Sequence, residues 1–305
     1  MTDNGESTDN EKGLVEELKL VFGSGHINFL FGAGVNGEAF PNFANGFNET
    51  KEALKNKGQK GLNIENELKE LGLDEYNEVT SIFIKEFNDC KVKNCDSLEN
   101  FKNLLCKVYE LTERIENRQP QTKKINVFTL NYDRIVESIL DDQCYFYNSI
   151  TAKKMKGAST LDIIGYDSVR RKYVPTFAIS KLHGSIPSNG VLKKEDIIMP
   201  SISKEDKALS GDFFGVLFKM RSELEKRNAV LFVIGYSGAD EHVNKIVLEC
   251  VELGLRVYWL KYREEKGIAE EKYADKVRFI LPIKVEGEYV KQDATKRLFD
   301  LMNGV

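Results

Sequence analysis

Paired cysteines are missing from this sequence. Its five cysteines, Cys90, Cys95, Cys106, Cys144 and Cys250, are odd in number and show no Cys-x-x-Cys spacing. A disulfide framework needs an even set in an oxidising compartment, and a structural zinc site needs four ligands at short spacing, so neither is expected and no metal is assigned. Long apolar runs are missing too. None approaches the roughly 18–20 residues that cross a bilayer, which excludes a membrane span. Charge of one sign is not in excess: 44 Lys and Arg against 48 Asp and Glu leave a net −4. No overall basic field therefore draws the chain to nucleic acid or to an anionic membrane. Met1 to Lys12 is polar and acidic, unlike a signal or transit peptide, and is expected to be a disordered tail (1–12). These absences point to the cytoplasm. Internal repeats and low-complexity segments are absent as well. Histidine is scarce, with His26, His183 and His242 the only three.

What is present is ordinary for a globular protein: 41% hydrophobic and 30% charged residues in a chain of 305. Leu14–Phe22 carries helical spacing and stops at Gly23 and Gly25. An apolar strand with Ile27, Phe29, Leu30 and Phe31 follows. Residues 48–120 carry almost no strand signal and read as an inserted helical module, with amphipathic helices over Ile64–Phe87 and Ser97–Asn117. Strands are expected at Ile125–Thr129, Cys144–Tyr147, Tyr173–Ile179 with Lys181-Leu182, Ala229–Ile234, Leu255–Lys261 and Val277–Lys284. Helices are expected at Arg134–Leu140, Asp212–Arg227, Asp240–Glu252 and Gln292–Met302, and Lys153–Lys172 reads as a loop. This alternation predicts an α/β fold over 13–305, a doubly wound parallel sheet of Rossmann type with helices on both faces and the helical module inserted.

Four short motifs stand at the carboxyl ends of these strands, where open parallel sheets bind ligands. Phe31 runs straight into Gly32-Ala33-Gly34-Val35-Asn36, a turn that lets a phosphate approach backbone amides. Read alone, it is equally a plain tight turn. Thr129-Leu-Asn131-Tyr-Asp133 ends the next strand. Asn131 cannot accept a proton, so it orients something; its bland alternative is a helix N-cap with Asp133 in the first turn. Leu182-His183-Gly184 follows an extended segment, and an imidazole there suits proton removal from a hydroxyl or a water. Val233-Ile-Gly235-Tyr236-Ser237 ends a buried strand and offers a second phosphate or ribose contact, or a helix cap at Ser237 or Asp240. His26 and His242 are read as structural.

Taken together and in this order, the four motifs resemble the sirtuin family, over residues 26 to 262. Asn36 stands where the family carries a serine. The resemblance implies NAD⁺ as substrate, His183 as general base, Asn131 holding the nicotinamide ribose and the attacking group, and Asp133 beside the cofactor. It assigns Gly32, Ala33, Gly34, Val35 and Asn36 to the pyrophosphate turn and Gly235, Tyr236 and Ser237 to the second contact. Phe40-Pro41-Asn42-Phe43 matches a Pro-Asp-Phe sequence of the family across a one-residue gap. Phe43 thus either shields the glycosidic bond or anchors the core.

The four-cysteine zinc module of the protein deacylases cannot be built here. Gly235-Tyr-Ser-Gly-Ala-Asp240 is similar to a Gly-Tyr-Ser-x-x-Asp pattern in bacterial sirtuin-like antiviral defence effectors. That similarity implies an NAD⁺ hydrolase that releases nicotinamide and ADP-ribose and depletes NAD⁺. It also implies a homo-oligomer and a HerA-like hexameric ATPase partner. Two alternatives stay open: an NAD-dependent protein deacylase or ADP-ribosyl transferase, and a non-catalytic subunit that senses NAD or ADP-ribose.

Overall fold

The computed structural model describes residues 3–114, 124–155, 158–165, 176–187, 190–200, 211–264, 267–285 and 288–305. An eight-stranded sheet organises them, in the order β4-β3-β5-β2-β1-β6-β7-β8. Its strands are β1 (His26–Phe31), β2 (Lys124–Thr129), β3 (Tyr147–Met155), β4 (Ala158–Gly165), β5 (Thr176–Lys181), β6 (Ala229–Ile234), β7 (Arg256–Leu260) and β8 (Arg278–Ile280). Every neighbouring pair is parallel except β3–β4, which is antiparallel at the edge. The chain leaves β1 toward β2 on one side and returns to β6 on the other. The switch point of this doubly wound sheet therefore lies between β1 and β6.

Central strands buried on both faces need continuous apolar runs, and β1 and β6 are buried at every position. Alternation splits them. Ile27, Phe29 and Phe31 enter one core with α1 (Asp3–Ser24), α5 (Asp96–Arg114) and α10 (Ala294–Met302). On that face Phe232 stacks on Phe22 and Phe29, with ring centroids 5.4 and 5.3 Å apart. Leu30, Leu231 and Val233 enter the second core with α7 (Gly211–Leu224) and α8 (Glu241–Glu252). No helix among the described residues is long and apolar enough to cross a membrane.

Between β1 and β2 lie α2 (Asn48–Asn56), α3 (Ile64–Leu68), α4 (Leu73–Asp89) and α5. The single helix expected over Ile64–Phe87 is broken. Gly72 takes an extended conformation as N-cap of α4, and Asn63 caps α3 by accepting from Asn66 N–H at 3.1 Å. Three further elements differ from expectation. The segment 1–12, expected to be a disordered tail, is helical from Asp3 onward; it extends α1, and Glu11 ion-pairs with Arg297 at 2.6 Å. Of Lys153–Lys172, expected to be a loop, 153–155 end β3 and Ala158–Gly165 form β4, whose eight paired positions give this backbone a ladder that composition does not announce, while 156–157 and 166–172 lie outside the described residues. The short strand expected at Cys144–Tyr147 starts only at Tyr147, because Cys144 sits at φ +55, outside extended backbone. The expected helix end at 115–117 and strand start at 173–175 lie outside the described residues.

Candidate active site

The turns after β1 and β6 are packed back to back. Gly32 N–H donates to the Ile234 carbonyl at 3.0 Å, and Gly34 N–H to the Gly235 carbonyl at 2.9 Å. A Cβ on Gly32 would stand 2.5 Å from Gly235 O, and one on Gly235, whose φ is +67, would stand 2.0 Å from Val35 N. Glycine is thus demanded here by one turn against the other. Two of the amides expected to face a pyrophosphate are engaged across this contact. β2 and β5 join the same rim, since Leu130 N–H donates to Phe31 O at 3.0 Å and Leu182 N–H to Thr129 O at 2.9 Å.

A cavity of about 360 Å³ opens over this rim, within the size range of small-molecule sites. Gly32, Ala33, Gly34, Asn36, Asn131 and Asp133 line it from the β1 and β2 ends. His183 lines it from beyond β5, and Gly235, Tyr236, Ser237 and Asp240 from beyond β6. Val35 does not line it; its side chain is buried in the first core. Phe43 lines the cavity and packs on Phe83 of α4, with ring centroids 5.3 Å apart. Phe83 and Phe87 of the inserted helices complete that wall. Asn42 serves its own loop, where Oδ1 accepts from the N–H groups of Ala44 and Asn45 at 2.9 Å.

Asn131 does not cap a helix. Its N–H donates to Thr129 Oγ1 at 3.1 Å, and its Nδ2 donates to the Gly32 carbonyl at 3.3 Å. A carbonyl partner accepts only, so Nδ2 must face it and Oδ1 is left as the outward acceptor. That buried Oδ1 has no hydrogen-bond partner among the described residues. The same holds for Asn36 Oδ1, whose amide Nδ2 donates to Asp133 Oδ2 at 2.8 Å. Two orphaned acceptors on one cavity suit a ligand rich in hydroxyl donors, because a buried acceptor without a donor is costly.

Asp133 is a fixed part of the floor. Oδ1 accepts from Ile135 N–H at 3.0 Å, which holds the start of α6 (Ile135–Asp142). Burial pushes its carboxyl above the usual range, against the pull of the Lys181 ammonium. Lys181 is 1% exposed. It donates to the Asp133 carbonyl and ion-pairs with Glu137 Oε2 at 3.2 Å, while Ser149 Oγ donates to Glu137 Oε1 at 3.0 Å. Nothing in the sequence pattern marked Lys181, since a lysine ending a strand ordinarily faces water.

His183 is buried, and its Nε2 lies 2.9 Å from Nε2 of His242 and 3.9 Å from Asp240 Oδ1. Sequence reasoning read His242 as structural; it is buried, and the first turn of α8 delivers it to His183. The signal available was its position two residues after the Asp240 of the β6 turn. Asp240 is the N-cap residue of α8, yet its side chain makes no cap hydrogen bond. Tyr236 braces this turn. Its hydroxyl is bonded to the Asp240 backbone and donates to Asn244 Oδ1 at 2.9 Å, and its ring stacks on Trp259 at 5.6 Å. Burial raises that phenol well above its ordinary value.

Comparison with known proteins gives a partial match in sequence. Residues 125–281 match the SIR2-like domain family, a stretch that contains Asn131, His183 and the Gly235 turn but not the first glycine turn. No curated protein matches the sequence. Among solved structures, one described as the structural basis for the mechanism and regulation of Sir2 enzymes is similar at 11% identity and a TM-score of 0.42, over 95% of this chain and 96% of that one. A second, a Sir2 variant with a deacetylated p53 peptide and 3′-O-acetyl ADP-ribose, is similar at 13% identity and a TM-score of 0.45, over 95% of this chain and 99% of that one.

Proposed function

This chain belongs to the SIR2-like family, and from that premise we propose that it is an NAD⁺ hydrolase, converting NAD⁺ and water into nicotinamide and ADP-ribose. The observation that carries the reading is that one cavity is lined by Asn131, His183 and the paired glycine turns together. The C1′–N bond of the nicotinamide ribose breaks, and its electron pair stays on the pyridine nitrogen, so nicotinamide leaves neutral. Water attacks the oxocarbenium-like C1′. Asn131 Oδ1 accepts one hydrogen bond from that water and holds it, and His183 takes the proton released as the new C–O bond forms. Phe43 and the aromatic wall from α4 keep other water away from C1′. Asn36 Oδ1 is the second acceptor for ribose hydroxyls.

On the same sequence resemblance we propose an antiviral defence effector that depletes NAD⁺ and works as a homo-oligomer with a HerA-like ATPase partner. Nicotinamide release from NAD⁺, followed by chromatography with and without such an ATPase and with and without an acyl-lysine peptide, tests the reading. His183→Ala is expected to slow release by about 10²–10⁴-fold, the usual contribution of a positioned base, and Asn131→Ala to do likewise with folding intact. Turnover that requires the peptide would make the protein a deacylase. Tight NAD⁺ binding without product would make it a sensor. Wild-type rates from both variants would overturn the assignment of roles.

A further inference from the structure

The cysteine-free constellation behind His183 has the composition of a metal site. His183, His242 and Asp240 each offer one ligand atom, a ring nitrogen or a carboxylate oxygen, and these three atoms lie within 4.8 Å of one another. Two imidazoles and a carboxylate are the ligand types that zinc, cobalt and nickel share, and three such ligands with one open position is the pattern of a non-structural zinc site. On a tetrahedral ion with bonds of about 2.0–2.1 Å, neighbouring ligand atoms stand about 3.3 Å apart. The two Nε2 atoms are 2.9 Å apart and the His183–Asp240 pair 3.9 Å, so small rotations bring all three onto one ion.

Three further observations favour a ligand role. The Asp240 carboxylate lies toward His183, with Oδ1 3.9 Å from its Nε2. The backbone that carries Asp240 and His242 is pinned: Tyr236 and Tyr273 both donate to Asn244 Oδ1, at 2.9 and 2.8 Å, and Asn244 Nδ2 donates to Gly238 O at 2.7 Å. Rigid donors lose little freedom on taking up an ion. Finally, His183 and Asp240 line the cavity, so the fourth position would open onto the space where substrate and water enter.

We propose that His183, Asp240 and His242 form a binding site for one divalent transition metal of the zinc class, and that occupancy blocks proton transfer by engaging His183 Nε2. Binding stands on the geometry alone; the inhibitory consequence rests on the hydrolase reading above. The step is a Lewis acid–base association: each imidazole and the carboxylate donates an electron pair to the ion, any proton on the ligating atoms passes to solvent, and nothing is oxidised or reduced.

Co²⁺ alone is the probe for the first arm, added to the full chain without NAD⁺ and read by visible ligand-field absorption. We expect one Co²⁺ per chain with intense tetrahedral bands, displaced by equimolar Zn²⁺. His242→Gln keeps a polar atom near His183 but supplies no imidazole, and Asp240→Asn removes the carboxylate. Each is expected to weaken Co²⁺ binding at least 100-fold while circular dichroism stays that of the parent. In the second arm, Zn²⁺ suppresses nicotinamide release, a chelator restores it, and the Zn²⁺ concentration for half-inhibition rises at least 100-fold in His242→Gln relative to that variant's own metal-free rate. Absent bands, or Co²⁺ affinity equal in wild type and both variants, overturns the site. Metal binding with no NAD⁺ turnover under any condition leaves the site standing and sinks the hydrolase reading instead. Turnover insensitive to bound Zn²⁺ overturns the inhibitory half of the proposal.

Discussion

Replacing Lys181 with methionine tests whether a buried charge holds the floor of the cavity. Methionine has nearly the same length and packs well in irregular interiors, so lost volume is small and the change isolates the ammonium. Three groups depend on that ammonium. Glu137 Oε2 has it at 3.2 Å, the Asp133 carbonyl accepts from it, and the Asp133 carboxyl is drawn down by its charge. Glu137 is 1% exposed, and its remaining polar contact among the described residues is the Ser149 hydroxyl. The variant therefore leaves a carboxylate buried with one neutral donor, the situation in which removing one partner of a buried pair costs about 3–5 kcal/mol. Against a typical total of roughly 5–15 kcal/mol, that is a large fraction of stability. It should lower the thermal midpoint by on the order of 5–15 °C. Lys181→Met with Glu137→Gln removes both charges, and the double variant should recover at least about half of the loss, because the stranded carboxylate is gone. Urea denaturation of the four proteins at neutral pH gives the cycle directly. A single variant within about 1 kcal/mol of wild type, or strictly additive losses in the double variant, would refute the claim that the pair is held by charge.

Glu223 offers a pH test at the opposite end of the sheet. Burial pushes its carboxyl up, but hydrogen bonds from His26 at 2.7 Å, Lys124 at 2.8 Å and Lys226 at 2.7 Å outweigh this and hold it well below the usual carboxylate range. A carboxyl depressed in the folded state adds stability above its unfolded value of 4.5 and loses it progressively as the pH falls below that. Glu223→Gln should thus cost about 2 kcal/mol at pH 7 and flatten the acid limb of a stability–pH curve; an unchanged acid limb would count against the assignment. Gly235→Ala sets a Cβ 2.0 Å from Val35 N in a backbone with φ +67, so the two glycine turns must part. NAD⁺ affinity measured by calorimetry should fall at least tenfold, a loss of about 1.4 kcal/mol, and undiminished affinity would separate the turns from the substrate site.

The sheet was legible because its central strands are mostly apolar and stop at glycine or at a polar residue, as Phe31–Gly32 and Ile234–Gly235 do. Their carboxyl ends marked most of the candidate site for the same reason. What escaped notice is set by packing between distant elements. The first turn of α8 brings His242 to within 2.9 Å of His183, 59 positions earlier in the chain, and no local period encodes that approach. Lys181 and Glu137 carried no signal of burial because charge is ordinarily solvated, and the pairing across β5 and α6 makes their burial tolerable. The β3–β4 hairpin escaped because lysine, serine and glycine are poor strand formers. α3 stops at Leu68 and α4 restarts after Gly72, a break that the apolar spacing of Ile64 to Phe87 carried straight through.

Polar residues inside the central strands explain how the site stays in register with the core beneath it. Asn28 and Asn126 are fully buried in neighbouring strands and interrupt otherwise apolar runs. Asn28 Nδ2 donates to Val230 O at 3.1 Å, and Asn126 Nδ2 donates to Asn28 Oδ1 at 2.8 Å and to Glu223 Oε2 at 3.2 Å. These bonds tie β1, β2, β6 and α7 together by side chains as well as by the ladder. A slip of one residue between parallel strands would turn every side chain to the opposite face, and it would strand each of these amides and the Glu223 carboxylate in an apolar layer. The cost of that slip protects the register at the amino ends of the strands. The carboxyl ends must then bring the turns at Gly32 and Gly235 and the residues Asn131 and His183 to one rim. The polar network at one end of the sheet thus specifies the alignment of the cavity at the other, and Asn126→Leu is expected to loosen NAD⁺ binding without touching any residue that lines it.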